Sequence, residues 1–279
     1  MPHLFDHLSS VARVLSYTPL GLITDVDGTI SPIAPSPYEA RISSGCRQSL
    51  ARLARHLALV AAISGRRARE LRHLVGLPGL VYVGNHGLER WHKGKVKLSP
   101  RIDRYRPRVV TVLQELAQHL TIPGVYLEDK GVIAAIHYRR CPQPDVAREA
   151  ILAHVSEKGW DKEFLIMEGR RVVELRPALS VNKGTVVTQL AHEYRLRGIL
   201  YMGDDTTDVD AFRALRQLKE AGVVGYAVGV VEDETPGEVK AESDLNLRGV
   251  AEVERFLEWL VSRVAMPGPE DPQTGDKAM

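Results

Sequence analysis

Five short apolar runs, each followed by a longer amphipathic segment, constrain this chain more than any other feature. Residues 20–26 (LGLITDV), 57–63 (LALVAAI), 80–83 (LVYV), 198–202 (GILYM) and 223–231 (VVGYAVGVV) are apolar without alternation. That is the pattern of strands covered on both faces. Between them, segments near 39–55, 66–75, 184–197, 207–221 and 249–263 carry apolar residues at helical spacing. In the last of these, Val250, Val253, Phe256, Leu257 and Leu260 form one stripe. Helices between strands are the crossovers a parallel sheet requires. The expected fold is therefore α/β, a doubly wound Rossmann-like core with a parallel sheet that takes ligands at the carboxyl ends of its strands.

The middle of the chain breaks this rhythm. A hairpin at 88–98 (LERWHKGKVKL), turning at Lys93-Gly94, leads to a helix-like stretch from 102 to 120. A Pro123-Gly124 turn, strands near 125–128 and 132–138, a helix near 144–158 and paired strands near 164–167 and 171–175 around Glu168-Gly169 follow. The expected organisation is a core formed by 1–101 and 178–265, interrupted by an inserted α+β cap over 102–177. The tail 266–279 (MPGPEDPQTGDKAM) is rich in Pro, Gly and charge, and is expected to be disordered.

Charge and composition narrow the partners. Lys and Arg total 37 against 35 Asp and Glu, a balance unlike that of proteins whose main ligand is nucleic acid or an anionic membrane. Arg101, Arg104, Arg106 and Arg108 read as a solvated helix face, because aromatic residues are sparse around them. No apolar stretch approaches the roughly 18 residues that span a bilayer, and MPHLFDHLSS lacks the pattern of a secretory signal. Cys46 and Cys141 stand far apart without a CxxC partner, so a reduced, cytoplasmic setting is expected.

Four clusters could carry chemistry. Asp25-Val26-Asp27-Gly28-Thr29 follows a buried strand. Alternation points Asp25 and Asp27 the same way, and Gly28 lets the backbone approach a ligand. Paired carboxylates there suit a hard cation, and one can attack while the other moves protons. The plainer alternative is a capped turn beside a solvated strand end. Ser64-Gly65-Arg66 ends the next strand, where a hydroxyl beside helix amides can bind phosphate oxygens or merely cap the helix. Lys183 opens another helix and could neutralise a phosphoryl group, or it could be an ordinary surface lysine. In Gly203-Asp204-Asp205-Thr206-Thr207-Asp208, a cap by Asp205 or Thr206 explains one acid. Three crowded acids favour a cation.

In this order, the acid pair, Ser, Lys and acid cluster resemble the haloacid dehalogenase superfamily of aspartate-nucleophile phosphatases. The segments Gly84-Asn85-His86-Gly87-Leu88-Glu89, Glu128-Asp129-Lys130-Gly131, His137-Tyr138-Arg139 and Val172-Val173-Glu174-Leu175-Arg176-Pro177 extend the similarity to its trehalose-6-phosphate phosphatase family. So do GDDTTDVDAF at 203–212 and the late Glu252–Leu260 stretch. The similarity runs from about residue 20 to 261; Asn85 and Val209 depart from it, standing where the family usually has Ser and Glu.

The resemblance implies a Mg2+-dependent phosphatase acting on trehalose 6-phosphate. Asp25 would be the nucleophile and a metal ligand, and Asp27 the acid and base with its carbonyl on the metal. Asp204 would be the third protein ligand, supported by Asp208. Ser64 and Lys183 would hold the phosphoryl oxygens. Read from its own position, Arg66 could steer an anionic substrate or simply solvate a helix start. Glu128, Lys130 and Glu174 would contact the sugar, with His137 and Arg139 lining or bracing the cap. A functional link to a trehalose-6-phosphate synthase follows, with no nucleic-acid or membrane partner. The rival readings are the same chemistry on sucrose 6-phosphate, mannosyl-3-phosphoglycerate or glucosyl-3-phosphoglycerate, or a non-catalytic sugar-phosphate sensor.

Overall fold

The computed structural model describes residues 1–264 apart from Lys93, Arg101 and Arg170. The tail expected at 266–279 and half of the expected Lys93-Gly94 turn lie outside the described residues, as does Arg101 of the proposed basic face. The chain runs α1 (Leu8–Val14), β1 (Leu20–Thr24), α2 (Ser44–Leu53), β2 (Leu59–Ile63), α3 (Ala68–Val75) and β3 (Val81–Gly84). A hairpin follows, β4 (Glu89–His92) and β5 (Lys95–Leu98), then α4 (Tyr105–His119), β6 (Tyr126–Asp129), β7 (Ala134–His137), α5 (Pro144–Glu157), β8 (Phe164–Gly169) and β9 (Val172–Pro177). The last third is α6 (Lys183–Glu193), β10 (Gly198–Gly203), α7 (Thr206–Glu220), β11 (Val224–Val231), α8 (Gly237–Glu242), β12 (Leu245–Arg248) and α9 (Gly249–Val264).

Eight strands form one sheet in the order β12-β11-β10-β1-β2-β3-β4-β5. The first six are parallel to one another and the hairpin adds two antiparallel strands at one edge. Alternation decides which layer each strand residue joins. Leu22, Leu200 and Met202 pack with α1, α2, α3 and α9 on one face. Ile23, Ile199 and Tyr201 pack with α6, α7 and α8 on the other. The chain order swings outward from β1 in both directions, so the crevice above β1 and β10 is where the topology switches.

A second sheet, β6-β7-β9-β8, is wholly antiparallel. One of its faces, with Ala134, Ile136, Val173 and Leu175, closes a separate core with α4, α5 and Trp160. The period of two then turns Tyr126, Glu128, Ala135, His137, Glu174 and Arg176 to the opposite face. Register aligns Glu128 with Ala135, and Ala135 with Glu174, so both acids flank one small residue in a single row.

Three local readings change. The helix expected from 39 begins at Ser44, after a single 3-10 turn at Pro37–Glu39; prolines at 35 and 37 disfavour an earlier start. Glu168 and Gly169 belong to β8, and the reversal comes later, where Arg171 has φ +61°. β12 and α8, with four and six residues, are too short to show a hydrophobic period.

Candidate active site

Strand ends deliver the acids. Asp25 leaves β1 with its N–H donating to the Met202 carbonyl at 2.8 Å, which ties the first acid to the end of β10. Gly28, at φ +94°, turns the loop back, and a Cβ there would fall against the Asp204 carboxylate. Thr29 Oγ1 donates to Asp204 Oδ1 at 3.2 Å. Asp205 caps α7, and Asp208 completes the cap by accepting from the N–H groups of Asp204 and Asp205 through Oδ2. Its other oxygen accepts from the Tyr201 hydroxyl at 2.6 Å.

Lys183, the first residue of α6, is fixed by a capping box between Asn182 and Thr185. Its ammonium donates to Asp25 Oδ1 and to Asp208 Oδ1, each at 2.6 Å, in a setting where all three are buried. Burial alone would lower the Lys183 pKa, but Asp208 and Asp25 hold it above its ordinary range. Burial pushes the Asp25 carboxyl up to about 7, with Lys183 pulling it down and Asp208 pushing it further up. Carboxylate oxygens of Asp25, Asp204 and Asp208 lie within 4.8 Å of one another. Three acids against one ammonium leave an excess of negative charge that a divalent cation would offset. The donor set is all oxygen, the kind a hard cation takes. Asp208 already accepts four hydrogen bonds, so it braces such a site, and Asp25 and Asp204 face it.

Asp27 does not join this cluster. Its carboxylate receives a two-pronged contact from Arg66, Nε at 2.7 Å and Nη2 at 2.6 Å. Arg66 also sends its backbone N–H to Ser64 Oγ at 3.1 Å. Ser64 is therefore held at the mouth of β2, its own N–H on the Val83 carbonyl.

The second sheet faces this floor across a cavity of about 350 Å³. Lys130 donates to Glu174 Oε1 at 2.7 Å and to the Gly65 carbonyl at 3.2 Å. Glu128 Oε2 accepts from His137 Nε2 at 2.7 Å. Burial would raise both glutamates. His137 and Lys130 hold Glu128 below its ordinary value, and Lys130 and Arg176 hold Glu174 well below. Arg139 reaches over the cleft to the Ala34 carbonyl at 2.7 Å. All twelve residues singled out by sequence except Asp208 line the cavity.

Four residues and one loop escaped the sequence reading. Thr29 sits inside the acid motif, so its place in the pentapeptide was the available signal. Tyr201 reads as one more apolar strand residue, yet its hydroxyl is committed to Asp208. His86 and Arg176 were quoted only for their resemblance; they meet at 2.7 Å. The loop 33–38, with Ile33, Pro35 and Tyr38, walls the cavity opposite the second sheet. No helix among the described residues is long and apolar enough to cross a membrane.

Comparison with known proteins agrees with this geometry. The trehalose-phosphatase family model matches residues 23–250. A probable trehalose-phosphate phosphatase of Arabidopsis thaliana is 29% identical over 92% of this chain, which spans 72% of that relative. A trehalose-phosphate phosphatase of Mycobacterium avium is 36% identical over 69% of the chain, which spans half of that relative's length. Among solved structures, the C-terminal domain of the C. albicans trehalose-6-phosphate phosphatase superposes with a TM-score of 0.79. It is 22% identical, with 94% of this chain and 98% of that one covered. At that identity the likeness speaks for the fold. The family match spans both arms of the acid–lysine floor and the sheet above it: the chain is a phosphatase and belongs to the trehalose-phosphatase family.

Proposed function

We propose that this chain hydrolyses trehalose 6-phosphate to trehalose and phosphate through a phosphorylated Asp25, with Mg2+ held by the carboxylates of Asp25 and Asp204 and the carbonyl of Asp27. One observation carries the reading: a buried ammonium bridges Asp25 and Asp208, under a sheet whose polar face presents Glu128, Lys130 and Glu174. The floor fits a phosphoryl group, and the ceiling fits hydroxyls that want both acceptors and a donor.

Phosphoryl transfer needs positioning and charge neutralisation above all. Ser64 Oγ and the Lys183 ammonium take the phosphoryl oxygens. Asp25 attacks phosphorus as the bond to the sugar oxygen breaks, and Asp27 gives that oxygen a proton. Arg66 holds the Asp27 carboxylate in the free enzyme; the incoming phosphate competes for Arg66 and frees Asp27 to turn to the sugar oxygen. Asp27 then takes a proton from water, which displaces Asp25 from phosphorus and regenerates the carboxylate. When bound, the cation keeps Asp25 ionised and offsets charge on the phosphoryl oxygens. Arg139 and the loop 33–38 close the side of the cavity, which keeps water from competing during transfer. A reaction that makes trehalose 6-phosphate, as a synthase does, must precede this step.

A phosphate-release panel tests the reading. It compares trehalose 6-phosphate with sucrose 6-phosphate, mannosyl-3-phosphoglycerate and glucosyl-3-phosphoglycerate, each with and without EDTA. The expected outcome is the highest kcat/KM on trehalose 6-phosphate and loss of turnover on chelation, restored by excess Mg2+. A higher kcat/KM on another of these esters sinks the substrate; turnover indifferent to EDTA sinks the metal.

A further inference from the structure

The loop after β3 holds two consecutive non-glycine residues in the left-handed region, Asn85 at φ 48° and His86 at φ 54°. Such backbone persists only where its surroundings over-determine it. Here the Asn85 N–H donates to the Arg66 carbonyl at 2.8 Å, and the His86 N–H to the Ser64 carbonyl at 3.0 Å. The loop is thus bolted to the segment that presents Ser64 and Arg66. Its side chains point the other way. Asn85 Nδ2 donates to the Lys130 carbonyl at 2.9 Å. His86 Nε2 lies 2.7 Å from Arg176 Nη2 and 3.5 Å from Glu174 Oε2.

The shorter contact assigns the proton. Arg176 can only donate, so Nε2 accepts and Nδ1 carries the hydrogen. Burial and the Arg176 charge push the imidazole down to about 3, which keeps it neutral and able to accept. Nδ1 is buried with no hydrogen-bond partner among the described residues. Arg176 donates through Nε to Glu174 Oε2 at 2.8 Å, its Nη2 lies between that oxygen at 2.6 Å and His86 Nε2 at 2.7 Å, and Lys130 takes the other oxygen at 2.7 Å. The Glu174 carboxylate is pinned on both sides.

We infer that His86 is a positioning residue: through Arg176 it fixes the Glu174 carboxylate, and through its backbone it joins that carboxylate to the Ser64 loop, so that sugar recognition and phosphate recognition are set as one unit. The inference rests on the proposed function, in which Glu174 contacts the sugar and Ser64 the phosphate.

Two substitutions separate this role from plain packing. In His86→Asn the shorter side chain tolerates the left-handed backbone but ends near the Nδ1 position and cannot reach Arg176. In His86→Gln an amide oxygen returns near the Nε2 position. Steady-state kinetics are measured on trehalose 6-phosphate and sucrose 6-phosphate, alongside Glu174→Gln and the His86→Asn/Glu174→Gln double variant, with thermal midpoints for all. On the substrate the wild type prefers, His86→Asn raises KM about tenfold, the scale of one charge-assisted hydrogen bond. It changes kcat much less, and His86→Gln recovers most of the KM. The double variant is no more than about twofold worse than Glu174→Gln, because the lost step is shared. A wild-type preference for sucrose 6-phosphate overturns the substrate reading and leaves the coupling to be judged on that ester. Equal losses in His86→Asn and His86→Gln that follow the thermal midpoint overturn the coupling, as do losses that multiply in the double variant.

Discussion

Asp25 is under two opposed demands. Burial favours its neutral form, whereas the proposed attack on phosphorus needs the carboxylate. The sign of the stability effect follows. Its folded-state pKa, about 7, lies above the ordinary 3.8, so the stability its protonated form contributes is present below 3.8 and is lost as pH rises through 7. At pH 8 without metal, the ionised group is a net cost to the fold. Asp25→Asn removes that cost while Lys183 keeps its contact with Asp208. The variant is expected to lose about four orders of magnitude or more in turnover, the scale of nucleophile removal. Its thermal midpoint in EDTA should equal or exceed that of the wild type, by a margin that widens from pH 5 to pH 8. Mg2+ should stabilise the wild type more than the variant, which keeps Asp204 and the Asp27 carbonyl. Scanning calorimetry across that pH range decides; a variant that melts lower at pH 8 in EDTA would show that the Lys183 contact outweighs burial.

At the scale of elements, two helices aim the machinery: α6 brings Lys183 and α7 brings Asp208. They meet closely because Gly184 has no side chain. A Cβ there would overlap the Asp210 carbonyl, a backbone atom that no rotamer change can move aside. Gly184→Ala must part the helices, at about 1–3 kcal/mol for an overpacked contact. It also lengthens the reach from Lys183 to Asp25, so kcat should fall about tenfold with KM for the sugar phosphate little changed. A variant with wild-type kcat would mean that α6 can slide without cost to the site. The elements also mark how far sequence reading reaches. β1, β2, β10 and β11 were legible because runs buried on both faces have no polar interruption, and β1, β2 and β10 each pointed at the acid or serine following it. The floor of the site was therefore legible nearly whole. The His86–Arg176 contact was not: Arg176 lies on β9 and His86 after β3, 90 residues apart in sequence. Only the docking of one sheet on the other joins them. Tyr201 was hidden for another reason, since a hydroxyl in an apolar strand gives no sign of whether it finds an acceptor.

On the scale of the whole molecule, the cavity is built by two bodies with separate cores, so its closure is a question of docking. The described contacts across the cleft include Tyr38 to Tyr126 at 3.1 Å between hydroxyls, Arg139 to the Ala34 carbonyl, and Lys130 to the Gly65 carbonyl. Two of these are exposed, and isolated exposed polar contacts are worth little; the contacts of Asn85 with the Lys130 carbonyl and of His86 with Arg176 are more buried. The chain crosses between the bodies near 102–104 and 178–182, where Leu88, Ile102, Val132 and Ile133 form a buried apolar cluster with Leu179 and Val181 against it, and opening by rotation at these joints is the expected motion. In the proposed reaction the cleft opens to admit the sugar phosphate and shuts so that the phosphoryl group passes to Asp25 rather than to water. Hydrogen exchange read by mass spectrometry on the Asp25→Asn variant tests this, because that protein binds substrate without consuming it. Saturating trehalose 6-phosphate and Mg2+ should slow exchange in the loop 33–40 and in 124–140, the two walls that meet on closing. Strands β10 and β11 should be unaffected, since they are buried in either state. Protection confined to the residues around Asp25, with both walls exchanging as before, would mean that the bodies stay docked and that substrate enters by another route.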